Sequence, residues 1–92
     1  MKKFVVEVGP SQIEGSNGQA ADNCMVYRAM KPVFPLLEAV AIVHAIFLDE
    51  QSEHHYIELP THVQDLIHRH YEGANPPPFK FEIEVPDHLC DS

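Results

Sequence analysis

Apolar and polar residues alternate strictly over residues 79–85, where Phe79, Phe81, Ile83 and Val85 are separated by Lys80, Glu82 and Glu84. A period of two sends the two sets to opposite sides of an extended chain, so this stretch predicts a strand with one packed and one wet face. Residues 3–8 repeat the pattern, with Phe4, Val6 and Val8 against Lys3, Val5 and Glu7, and Gly9-Pro10 stops it. Residues 23–30 carry the β-formers Val26 and Tyr27 and read as a second strand, hairpinned to the first. The polar stretch 9–22 between them holds Gly15, Ser16 and Asn17 and reads as a mobile loop. A short strand over 54–59 would place His55, Ile57 and Leu59 on one face and His54, Tyr56 and Glu58 on the other.

Two segments read as helices. Residues 35–48 open on Pro35, whose missing N–H costs nothing at a first helical position. The run is apolar almost all round and its length favours a helix over a buried strand. Such a helix must be covered on more than one face, so Val40, Val43 and Phe47 become a candidate dimer face. Residues 61–72 open on Thr61 with Gln64 three positions on, the signature of a capping box, and Gly73 supplies a left-handed end. Val63, Leu66, Ile67 and His70 share one side of that helix. Residues 76–78 are a stiff proline spacer, and 87–92 read as a tail. The order β-β-α-(β)-α-β predicts an α+β fold: a small antiparallel or mixed sheet of three to four strands, with two helices packed on one face.

Composition narrows the class. With 92 residues and 45% hydrophobic content, residues 1–92 make a single domain rather than a disordered chain. The apolar stretch near the start is cut by Glu7 and Gly9, too early for a signal core, and no run spans a bilayer. Two cysteines do not make a disulfide framework, which places the expected home of the protein in the cytoplasm.

Charge changes the picture most. The formal net charge is −8. Residues 1–48 are balanced, four acids against four bases, whereas residues 49–92 set ten acids against Arg69 and Lys80. A field of that sign repels phosphate and attracts basic surfaces, which argues against direct nucleic-acid or anionic-membrane binding. Glu82, Glu84 and Asp87 predict a row of carboxylates about 6.5–7 Å apart along one strand face. Glu58 would join the row if its strand pairs nearby. Such a row imitates a phosphate backbone. The leading expectation is therefore a non-enzymatic interaction protein whose Glu53, Glu58, Asp65, Glu72, Glu82, Glu84 and Asp87 dock on a basic protein surface. An inhibitor of a nucleic-acid-binding complex, of the sort phages and mobile elements use, is one form of it.

Catalytic signatures are missing from the sequence. The glycines fit no phosphate-binding loop, and there is no Gly-x-Ser-x-Gly elbow and no Cys-x-x-Cys. His54 and His55 point to opposite strand faces, while His68 and His70 lie 200° apart on a helix. A metal site or small enzyme would have to be assembled in space from His55, His70, His88 and Cys90, so no cofactor is expected. His70 and His44, each set among apolar residues, read as core histidines bonded to backbone carbonyls. A structural dimer is the third class.

Overall fold

The structure, a computed structural model, describes residues 2–17 and 19–90, with the Cys90 side chain outside the described set. It is α+β, with two antiparallel sheets. Strand β1 (Lys2–Val8) pairs along its whole length with β5 (Phe79–Val85), in a register that sets Phe4 opposite Ile83 and Val6 opposite Phe81. The two segments with the clearest alternation are thus each other's partners. Their apolar faces match residue for residue, which fixes the register, since a slip of one would turn every side chain over.

The second sheet has the order β2-β3-β4, built from Leu37–Val40, His44–Leu48 and His54–Glu58. The helix expected over 35–48 is therefore a β-hairpin. Ala41 N–H bonds the His44 carbonyl at 2.9 Å and folds the run in half. Val40, Ile42, Val43 and Ile46 are β-branched, which favours the extended chain. Continuous apolarity had erased the period, and the turn carries neither Gly nor Pro to announce itself.

Residues 23–30 depart from expectation in the opposite direction. Met25–Met30 is helix α2, capped by the Cys24 sulfur, which accepts the Tyr27 N–H at 3.4 Å. Met25, Val26 and Met30 are fully buried, with Ala29 packed beside them, a helical spacing rather than an alternating one. The hairpin with the first strand does not form, because residues 25–30 are helical and β1 pairs with β5 instead.

The stretch expected as a mobile loop, 9–22, contains a helical turn, α1 (Pro10–Ile13). It is also tied to the second sheet, where Val40 N–H bonds the Ala21 carbonyl at 2.8 Å. Helix α3 (Thr61–Tyr71) follows the reading closely, with Val63, Ile67 and His70 buried and Gly73 at φ 103° after it. Its capping box does not form. Pro60 holds the cap position, and the Gln64 side chain donates to the Leu59 carbonyl at 2.7 Å. Of the stretch expected as a tail, 87–92, Asp87–Cys90 is a helical turn, α4, with Leu89 completely buried, and residues 91 and 92 lie outside the described residues.

A continuous cluster of buried side chains draws on both sheets. Phe34, between α2 and β2, lies edge-on to Phe4 of β1 at 4.8 Å and to Phe47 of β3 at 5.7 Å. Val40 and Phe47, expected on a dimer face, are buried in this chain's own core, and of that trio Val43 alone is exposed. Two strands facing α2 and Phe34 supply the cover that a lone helix would have sought from a second subunit. Among the described residues no helix is long and apolar enough to cross a membrane.

Candidate functional site

The carboxylates do not line up as the strand pattern suggested. Glu82 and Glu84 do share the wet face of β5. Across the ladder, however, Lys3 stands opposite Glu84 with its Nζ 3.8 Å from Glu82, and Lys80 stands opposite Glu7. Two lysines thus interleave with three glutamates on that face. Exposed pairs of this kind add little stability but reduce the local charge from −3 to −1. Glu58 does not extend the row, because β4 pairs with β3 in the other sheet. Asp65 lies on α3 and Glu72 caps its C-terminus, and they pair one turn away with Arg69 at 3.2 Å and His68 at 3.3 Å respectively. Asp87 opens α4, and Glu53 ends the β3–β4 turn.

A different surface does gather. Between the segment leading into α2, the β2–β3 turn and the last turn of α3 lies an open cleft of about 440 Å³. Ala21, Cys24, Ile42, Val43, Ile67 and Tyr71 line it, with His44 at one side. The local reasons are legible. The tight β2–β3 turn leaves Val43 38% exposed at its tip, and the end of α3 leaves Tyr71 46% exposed. Tyr56, 61% exposed on β4, sets its ring against His44 at 5.9 Å between centroids. The surroundings are acidic: exposed Asp22 follows Ala21, Glu58 stands opposite His44, and Glu72 follows Tyr71. An apolar centre with a charged margin is the anatomy of a protein-binding surface. The sequence reading missed this cleft because it placed Val43 inside a helix.

The histidines separate into different environments. His70 is buried, and its Nε2 lies 3.4 Å from the Ser16 hydroxyl. That hydroxyl donates to the Ile13 carbonyl at 2.6 Å, which leaves its oxygen free to accept from the ring. Its partner is therefore a serine from the segment expected as a loop, and not the expected backbone carbonyl. His44 is half-buried on β3 rather than inside a helix. His54 is exposed beside Glu38 at 3.3 Å, while His55 turns inward, as their strand positions required.

His55 meets partners that no local pattern announces. Its Nε2 lies 2.6 Å from Asp49 Oδ2, and Asp49 Oδ1 accepts the N–H groups of Gln51 and Glu53 at 2.9 Å each. The His55 contact, followed by the Glu53 and Gln51 N–H groups, holds the Asp49 carboxyl below the ordinary carboxylate range. The β3–β4 turn closes around this carboxylate, with Ser52 at φ 62°. The His88 ring lies 5.3 Å from the His55 ring. Of the four expected metal candidates the structure thus unites His55 and His88 and leaves His70 elsewhere. Cys90 falls outside the described side chains.

Cys24 lines the cleft, yet it is only 2% exposed. Burial pushes its thiol above the usual range, and the Tyr27 N–H offsets this only in part. A thiol so placed is a poor nucleophile. In the native protein, iodoacetamide is expected to label the Cys24 peptide at least ~10-fold more slowly than in denaturant. Peptide mass mapping checks this, and equal rates would place the thiol at the surface.

No known protein family, curated protein or solved structure matches the chain.

Proposed function

We propose that the protein is a non-enzymatic, acidic interaction module that seats an apolar side chain of a basic protein partner in the cleft beside Val43 and Tyr71. The observation that carries this reading is the apolar cleft itself, opening at two exposed hydrophobic residues, with exposed Asp22 and Glu72 next in sequence to its lining residues and Glu58 opposite His44. Aromatic anchors at the centre of an interface supply most of its binding energy, while surrounding charge speeds encounter and selects the partner. A net charge of −8 makes that partner basic. Mimicry of a phosphate backbone through Glu82 and Glu84 has less support, because Lys3 and Lys80 interrupt that face.

The test is a titration of isotope-labelled protein with a cationic peptide bearing one phenylalanine, followed by amide chemical shifts. The expected shifts centre on Ala21, Val43, His44 and Tyr71. They are expected to vanish when the phenylalanine becomes serine, and to weaken as salt shortens the Debye length from about 8 Å to about 3 Å. Tyr71→Ser is expected to reduce affinity about 10-fold, the usual cost of losing a central aromatic anchor. Shifts centred on Glu82 and Glu84 instead, or no saturable binding, would overturn the cleft as the docking site.

A further inference from the structure

At the far end of β3 from the cleft, Asp49, Glu53 and His55 hold potential ligand atoms within 4.8 Å of one another. This is a mixed set, two carboxylates and an imidazole; a second imidazole, His88 of α4, lies outside that 4.8 Å cluster, with its ring centroid 5.3 Å from that of His55. We infer that Asp49, Glu53, His55 and His88 form a binding site for one zinc ion, or a chemically similar divalent transition metal.

The geometry suits such an ion. Zinc takes four ligands in a tetrahedron, with nitrogen and oxygen donors about 2.0–2.2 Å away. Two imidazoles on one tetrahedral zinc have ring centroids about 5 Å apart, given Zn–N near 2.0–2.1 Å and about 1.1 Å from nitrogen to centroid. The His55 and His88 centroids are 5.3 Å apart, with planes at 76°. Asp49 Oδ2 and His55 Nε2, now 2.6 Å apart across a hydrogen bond, need to part only to about 3.3 Å for a zinc ion to sit between them. The metal then takes the place of the bridging proton, and His55 ligates through Nε2 as a neutral imidazole with its proton on Nδ1; a second proton, where the ring was an imidazolium, leaves to solvent. Glu53 and His88 are exposed, so both can swing onto the ion without repacking the core. Imidazole donors favour zinc, copper or nickel, whereas an all-oxygen set would favour calcium or magnesium.

The site joins parts of the chain that belong to different sheets. Three ligands lie on the β3–β4 hairpin of one sheet, and the fourth lies on the helical turn that follows β5 of the other. A bound ion staples the two sheets together, a device small domains use to supplement a limited core.

Titration of the metal-free protein with zinc chloride, and separately with calcium chloride, tests the site by calorimetry and by thermal melting. One zinc per chain is expected, with a melting temperature raised by several degrees at saturating zinc and no effect of calcium. Tetrahedral cobalt(II) gives an independent visible absorption readout. His88→Ala and His55→Ala are each expected to weaken zinc at least ~10-fold. His68→Ala, an exposed histidine on α3, is expected to leave affinity unchanged. Because His88 is exposed, its removal does not threaten the fold, so the proposal remains falsifiable even if the His55 variant is unstable. Absence of 1:1 binding overturns the site, and so does zinc affinity indifferent to both substitutions. Neither result bears on the cleft.

Discussion

Phe34→Ala is expected to destabilise the protein by about 3–5 kcal/mol, the cost of removing a fully buried aromatic ring. Phe34 is 0% exposed and touches Phe4 and Phe47 edge-on, at 4.8 and 5.7 Å. Those partners belong to different sheets, so the ring bridges the two sheets within their shared core. Its loss removes the burial of one large side chain, leaves a cavity that rigid strands on either side cannot close, and forfeits two edge-to-face contacts. Domains of this size have only about 5–15 kcal/mol of stability in total, so the variant sits near the limit of folding at physiological temperature. Chemical denaturation checks it: the midpoint should fall steeply with little change of slope, and Phe34→Leu should recover part of the loss. A loss under about 1 kcal/mol would mean that the sheets are held together elsewhere.

Leu89→Ala is expected to cost about 2–5 kcal/mol, although it lies three residues from the end of the sequence. A tail in solvent would give a value near zero. The difference comes from α4, the single turn that carries Leu89 back to complete burial beneath the sheets. Pro86 ends β5 and α4 begins at the next residue, so the turn is placed by the strand it follows. His88→Ala, one position earlier and exposed, makes the internal comparison: in metal-free protein it is expected to change stability by no more than about 0.5 kcal/mol. Equal effects of the two substitutions would show that α4 does not dock.

How far the sequence could be read depended on whether one face of an element stays wet. Residues 79–85 and 3–8 each set charged residues against apolar ones, and both strands appear with the packed and wet faces expected. Helix α3 likewise keeps Asp65, His68 and Arg69 exposed opposite Val63 and Ile67, and its position was legible within a residue or two. Residues 35–48 lack such a wet face. Leu37, Val40, Ala45 and Phe47 are buried and Leu36, Ile42, Ile46 and Leu48 are half-buried, so no period distinguished two short strands from one helix. Residues 23–30 are too short for periodicity to outweigh β-propensity, and burial against the core settled them as α2.

The candidate sites were less legible than the fold. The excess of acid, the spread of histidines and the absence of catalytic motifs are properties of composition, and the sequence alone determined them. It also determined that β1 and β5 each have one apolar face, because side-chain alternation is a local consequence of backbone geometry. Which strand pairs with which, whether Lys3 neutralises Glu82, and whether Asp49, Glu53, His55 and His88 meet are non-local matters. Only the tertiary structure decided them, because closing the chain selects one set of distant neighbours by burial and register, and no local period encodes that choice.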